Sequence, residues 1–258
     1  MQVHSLYCYP VKSLSGIKVE QLDLDDFGPV ADRRWMITDP EGSFISQRSH
    51  PQLARIAVSL DARKVTVTIP DQGDFLLEQS PERLNVRVWR DSVSALRAVP
   101  GPAEAISRFL GEAVDLVYMP LDSFRSVDRV AERRVSFSDG FPFLITSQAS
   151  LEELNSRLDV AVDMRRFRPN IVVSGAPAWA EDGWQSLAIG STRLDLVKPC
   201  SRCILTTVDP DLGSRNPDQQ PLRTLGGYRR RAEGVMFGVN AVHTGTGPIT
   251  IGQSISLI

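Results

Sequence analysis

The chain has 258 residues, 42% hydrophobic and 23% charged, with a formal net charge of −2. That length suits one large domain or two small ones with a substantial core, and the near-neutral balance supplies no global field for nucleic acid or an acidic membrane. No run of about 18 apolar residues exists to span a bilayer, no secretory signal opens the chain, and three cysteines make no disulfide framework, so a reduced, cytoplasmic protein is expected.

Residues 1–120 read as mostly β. Ile17 to Leu24, Arg55 to Leu60, Val65 to Ile69 and Asn85 to Trp89 alternate apolar and polar positions, the pattern of half-buried strands. Turn signals separate them at Phe27-Gly28-Pro29, Asp39-Pro40-Glu41-Gly42 and Pro70-Asp71-Gln72-Gly73. Such spacing predicts an antiparallel sheet or barrel. A helix is expected from Pro102 to Leu110, with Ile106, Phe109 and Leu110 on one face. Residues 121–140 are charged and serine-rich, and read as a boundary or long loop; the alternative is a lid over a site. The second half opens with a strand over Phe141 to Thr146. A helix follows, with Ser150 and Glu153 as a capping box and Leu151, Leu154 and Leu158 on its apolar face. Strands are expected at Asn170 to Ser174, Ser186 to Ile189, Thr192 to Val197, Gly234 to Val242 and Ile249 to Leu257, with a short helix from Pro221 to Tyr228. The strands do not alternate regularly with helices, which argues against a doubly wound sheet. The expected class is mainly β with a few helices (α+β).

Common catalytic signatures are missing: GxxxxGK[ST], HExxH, GxSxG, and GxGxxG after a strand. His4, His50 and His243 lie far apart and read as structural. The densest chemistry is Cys200-Ser201-Arg202-Cys203, which runs into the strand-like Ile204-Leu205-Thr206-Thr207-Val208. Four readings of the cysteine pair are open. It could be a redox dithiol, though β-branched residues follow where a helix would be expected. It could be half of a zinc site, though Cys8 is the one cysteine left and zinc takes four ligands. The two could be small buried hydrophobes. Lastly, Cys203 could give one soft donor to a redox metal held mainly by an organic cofactor, with Arg202 favouring the thiolate. An anionic cofactor would then need cationic and hydroxyl groups elsewhere. Lys12-Ser13, Arg33-Arg34, Thr146-Ser147 and Arg166-Phe167-Arg168-Pro169-Asn170 are candidates at strand ends, although each alone is ordinary surface.

Taken together, these blocks resemble a known family. Lys198 to Pro210 is similar to the signature of the MOSC domain in its amidoxime-reducing branch, whose mitochondrial and bacterial members reduce N-hydroxylated bases. Tyr9-Pro-Val-Lys-Ser13 and Asp32-Arg33-Arg34-Trp35 resemble markers of the β-barrel domain that precedes MOSC. Phe167 to Gly175, followed by Trp179-Ala-Glu-Asp182, resembles the middle of MOSC. The blocks occur in order over nearly the whole chain. The resemblance implies an N-terminal β-barrel-like domain over 1–120 and a MOSC β-barrel domain over 121–258.

It also implies a molybdenum cofactor, with one pterin holding the metal and Cys203 as the protein ligand. Lys12, Ser13, Arg33, Thr146, Ser147, Arg168, Asn170, Ser201 and Arg202 match family positions that contact that cofactor, while Cys200 is a neighbour without an assigned role. The implied activity is reduction of small N-hydroxylated compounds, namely hydroxylamines, amidoximes or N-hydroxylated bases, to amines or amidines. The chain ends at Ile258 with no cysteine beyond Cys203, so no iron–sulfur cluster is expected. Electrons would come from a separate protein of ferredoxin, flavodoxin or cytochrome type, with no nucleic-acid or membrane partner. The alternative is a non-catalytic carrier of the cofactor, or a protein that handles sulfur through Cys203.

Overall fold

The structure, a computed structural model, describes residues 1–258. It is mainly β, with three α-helices at Pro102–Leu110, Gln148–Asn155 and Leu222–Tyr228. No helix is long and apolar enough to cross a membrane.

A nine-stranded sheet dominates. Its order is Ile17–Val19, Gln2–Cys8, Ile171–Ser174, Phe143–Ser147, Gly234–Thr244, Thr192–Arg202, Ser186–Ile189 and Ile255–Leu257, with Arg230–Arg231 added beside Gly234–Thr244. The pairings are antiparallel except that Phe143–Ser147 runs parallel to Ile171–Ser174. That one parallel pair needs a crossover, and the helix Gln148–Asn155 lies within it, as parallel connections require. The two strands from the start of the chain thus belong to the sheet built by the second half. Their apolar side chains Val3, Leu6 and Cys8 share a core with Phe143, Ile145, Ile171, Val173 and Leu187.

The remaining first-half strands form smaller sheets. Gln79–Val88, Asp91–Ala98, Asp115–Tyr118 and Trp35–Thr38 make a four-stranded antiparallel sheet. Ala57–Asp61, Lys64–Ile69 and Gly73–Leu76 make a three-stranded one. In Lys64–Ile69 the alternation reads directly as burial: Val65, Val67 and Ile69 point into a core they share with Ile106 of the first helix, while Thr68 is exposed, the period of two that a pleat imposes. That helix begins with Pro102 after Gly101 and ends at Gly111, which is left-handed at φ 78°, the ordinary start and stop of a helix.

Several elements differ from the sequence reading. Arg55 ends a 3-10 turn, Pro51–Arg55, and the strand starts at Ala57. Ile17 to Leu24 breaks into three short strands. The segment 121–140 contains a hairpin, Ser126–Val127 with Val130–Arg134. The second helix begins at Gln148 with Ser147 in the cap position, so Ser150 is not its cap. The Ser150 hydroxyl accepts the Trp179 backbone N–H at 2.8 Å instead. Leu158 falls beyond that helix. The strand expected from Ile249 to Leu257 is interrupted at Gly252, where φ is 81°. Finally, Ile204–Thr207 is a 3-10 turn, not a strand. The Thr206 and Thr207 hydroxyls donate back to the carbonyls of Cys203 and Ile204 at 3.0 and 2.7 Å, and this local bonding overrides the β preference of the residue types.

Candidate functional site

Strand ends and loops from both halves meet around a cleft of about 790 Å³. The long strand Thr192–Arg202 delivers Cys200, Ser201 and Arg202, and the turn that follows presents Cys203. The loop after Gln2–Cys8 delivers Lys12 and Ser13; the segment before Trp35–Thr38 delivers Arg33. The 3-10 turn Met164–Phe167 delivers Arg168, with Asn170 just beyond. Ser13, Arg33 and Arg168 all have positive φ, at 72°, 49° and 56°. Non-glycine residues rarely sit there, and three of them at one cleft is the clustering seen where a structure holds functional side chains against local preference.

Asp32 joins the two halves behind the cleft. Its carboxylate accepts Arg33 Nη1 at 2.5 Å, the Tyr9 backbone N–H at 2.8 Å and Asn170 Nδ2 at 3.1 Å. Burial works against the Arg33 charge, but Asp32 outweighs it and raises the Arg33 pKa. Arg33 also donates to Asn170 Oδ1 and to the Arg168 carbonyl, both at 3.2 Å. Arg33 and Arg168 both lie over the Tyr9 ring, 4.4 and 4.3 Å from its centroid.

Five cationic side chains line the cleft (Lys12, Arg33, Arg48, Arg168 and Arg202), against the single carboxylate of Asp139. Arg168 Nη1 donates to the Leu14 carbonyl at 2.7 Å, while its Nη2 is buried without a protein partner. Arg202 reaches the Phe167 carbonyl and leaves Nε buried and unpartnered. Burial pushes the Arg168 pKa down to about 10, with Arg33 adding repulsion. Buried donors that lack acceptors are costly, and this set suits a ligand carrying anionic oxygens, to which guanidinium groups bond strongly.

The sulfur chemistry is divided. Arg48 Nε donates to Cys203 Sγ at 3.2 Å, a bond that complements the negative charge a metal-bound sulfur carries. Arg202 Nη1 donates to Cys200 Sγ at 2.9 Å, so the guanidinium beside Cys203 is Arg48, and Arg202 serves the other cysteine. Asp139 bridges Arg48 at 2.7 Å and Lys12 at 2.5 Å. Local desolvation works to raise its carboxyl, although half of the side chain is exposed, and the Lys12 and Arg48 charges outweigh this and hold it well below the usual carboxylate range.

Of the ten residues singled out from sequence, the cleft gathers eight: Lys12, Ser13, Arg33, Arg168, Asn170, Ser201, Arg202 and Cys203. Thr146 and Ser147 do not line it. Both are fully buried; the Thr146 hydroxyl donates to Met164 Sδ at 3.3 Å, and the Ser147 hydroxyl has no partner. Sequence reasoning missed Arg48, Asp139 and Asn240, which do line the cleft. Arg48 sits in an irregular loop with no periodic signal. Asp139 closes the charged segment whose alternative reading was a lid, and that segment does supply Ser138, Asp139 and Gly140 to the wall.

Lys12 is buried, and desolvation pushes its pKa down to about 8 even though Asp139 opposes the shift. The folded value lies below the unfolded one, so between pH 8 and 10.5 the unfolded chain binds more protons and stability rises with pH. Relative to a Lys12→Met variant, the parent is expected to gain up to about 3 kcal/mol across that window, at about 1.4 kcal/mol per pH unit. Urea unfolding of both proteins at pH 7 and pH 10 measures it; a constant difference between them would remove the assignment.

Two family models match the chain: the MOSC N-terminal beta barrel domain over residues 1–113 and the MOSC domain over residues 132–256. Among curated proteins it is similar to human mitochondrial amidoxime-reducing component 1, with 34% identity over 99% of this chain and 82% of that protein. Human mitochondrial amidoxime reducing component 2 is also 34% identical, over 88% of this chain and 72% of its own. The molybdenum cofactor sulfurase of Oryza sativa subsp. japonica is 28% identical over 93% of this chain, which corresponds to 32% of that longer protein.

Proposed function

The chain belongs to the MOSC family, and on that premise we propose that it is a molybdenum-cofactor oxidoreductase that reduces N-hydroxylated compounds to amines or amidines. The observation that carries this reading is the cleft itself: a cysteine sulfur under a guanidinium N–H, lined by cationic side chains of which Arg168 and Arg202 each keep one buried nitrogen without an acceptor.

The residues present fit the cofactor. Lys12, Ser13, Arg33, Arg168, Asn170, Ser201 and Arg202 would hold its phosphate and ring edges, and Cys203 would be the protein ligand to molybdenum. When bound, the cofactor supplies two-electron redox chemistry at a metal that accepts oxygen. Overall, one N–O bond is broken, two electrons and two protons are consumed, and water leaves. Arg48 holds the Cys203 sulfur in place through Nε, while its other end is fixed by Asp139. Lys12 anchors the opposite oxygen of Asp139 and the Phe137 carbonyl, so one ion-paired chain spans the cleft mouth from the first half to the second. The chain divides functionally near residue 120: the first part brings Lys12, Ser13, Arg33 and Arg48, the second brings Cys203. Electrons come from a separate donor protein of ferredoxin, flavodoxin or cytochrome type.

A second reading, a carrier of the cofactor or of sulfur, is favoured by two observations. Cys200 lines the same cleft with its sulfur bonded to Arg202, and the sulfurase relative aligns across nearly the whole chain. Expression in a cofactor-producing host separates the two. Near-stoichiometric molybdenum and pterin, with turnover of benzamidoxime by reduced methyl viologen, is the result expected of the reductase. Bound cofactor with no turnover of any N-hydroxylated compound would transfer the assignment to the carrier.

A further inference from the structure

The strands Gln79–Val88 and Asp91–Ala98 form a hairpin in which Val88 pairs with Asp91, leaving Trp89-Arg90 as a two-residue turn. Trp89 takes φ 58°. The first position of a two-residue hairpin turn commonly requires positive φ, and glycine, asparagine or aspartate is its ordinary occupant. A bulky side chain there carries a steric penalty from its Cβ. Burial does not offset that penalty, because Trp89 is 50% exposed.

The ring is nevertheless held. Phe44 meets it edge-on with centroids 5.0 Å apart, and the Arg48 guanidinium carbon lies 4.9 Å from its centroid. Arg48 is the residue that donates to Cys203 Sγ. Trp89 lines an open groove of about 1690 Å³ that shares Arg48, Asp139, Cys200 and Cys203 with the cleft. An indole is thus presented one side chain away from the candidate metal ligand, at the approach to it. Strain of this kind persists where it serves a site, and an aromatic ring already held by Phe44 and Arg48 loses little freedom when a flat ligand stacks on it.

We propose that Trp89 is a stacking platform that selects flat, aromatic N-hydroxylated compounds over aliphatic ones at the mouth of the groove. The reaction that follows rests on the reductase reading above; the binding does not. A ring serving only to position Arg48 would act through the Cys203 sulfur on every substrate alike.

The test is equilibrium binding of benzamidoxime and acetamidoxime to the oxidised, cofactor-loaded protein without an electron donor, followed by calorimetry. Trp89→Gly suits the turn, so the fold is retained, as thermal melting checks. The glycine variant is expected to weaken benzamidoxime roughly two- to tenfold, the range that aromatic stacking supplies, and to leave acetamidoxime unchanged. Trp89→Phe is expected to restore most of the loss. Equal weakening of both ligands, or of neither, overturns the platform. Turnover assayed beside binding keeps the two readings apart. Selective binding without reduction removes the reductase and leaves the platform. Reduction that is indifferent to Trp89→Gly does the reverse.

Discussion

A Cys203→Ala variant is expected to fold as the parent does and to lose molybdenum-dependent activity by more than about a hundredfold. Groups that merely support a metal ligand typically cost about 10- to 100-fold when removed, so loss of the proposed ligand should exceed that range. The fold is insulated from the change. Cys203 is half-buried at the head of the 3-10 turn, and what the turn uses from it is its carbonyl, which accepts the Thr206 N–H at 3.1 Å and the Thr206 hydroxyl at 3.0 Å. Alanine keeps that carbonyl, and the melting temperature should stay within the range of ordinary surface substitutions. Molybdenum and pterin content, melting temperature and benzamidoxime reduction are the three readouts. Full activity in the variant would sink the ligand assignment. Cys200→Ala is the natural control: Cys200 bonds Arg202, not Arg48, and is not assigned to the metal.

The second large effect is on stability. Asp32→Ala is expected to cost about 3–5 kcal/mol, the usual penalty for removing one partner of a buried pair. Asp32 is 2% exposed, and its loss would leave Arg33 without its counter-charge, the Tyr9 N–H without an acceptor, and Asn170 Nδ2 with only the Tyr7 carbonyl at 3.3 Å. For a chain whose whole stability is on the order of 5–15 kcal/mol, that is a large fraction, and the melting temperature should fall on the order of 10 °C. Asp32→Asn keeps the shape but removes the charge that compensates Arg33, and is expected to lose nearly as much. A drop below about 1 kcal/mol in denaturant unfolding would show that Arg33 finds another counter-charge.

What could be read beforehand followed the reach of each signal. Alternation along Val65 to Ile69 is a property of neighbours in sequence, and its burial came out residue for residue. The ordered blocks around Lys12, Arg33, Arg168 and Cys203 named side chains that converge only in three dimensions, and the cleft gathers them. Arg48 was not legible because its significance lies in a 3.2 Å approach to a sulfur 155 residues away, and nothing in Gln47-Arg48-Ser49 encodes that partner. The Ile204–Thr207 turn was misread for a local reason: threonine favours strands by its branching but turns by its hydroxyl, and composition does not say which prevails. Ser147 shows a boundary error of the same kind, standing in the cap position assigned to Ser150. The pairing of Gln2–Cys8 with Ile171–Ser174 was beyond reach, since register between distant strands is set by the assembled sheet.

That last pairing bears on biosynthesis. Gln2–Cys8 leaves the ribosome well before one of its neighbours, Ile171–Ser174, which emerges about 160 residues later. At about 5–20 residues per second, the nascent strand waits roughly 10 to 30 s with its hydrogen-bonding edge unmet. The small sheet Ala57–Asp61, Lys64–Ile69 and Gly73–Leu76, and the hairpin Gln79–Val88 with Asp91–Ala98, can close in the meantime from local contacts. Val3, Leu6 and Cys8 lack Phe143, Ile145, Ile171 and Val173 until the second half arrives. Of these strands, Gln2–Cys8 therefore waits longest with apolar side chains unmet, and that is where a holding chaperone would have most to cover.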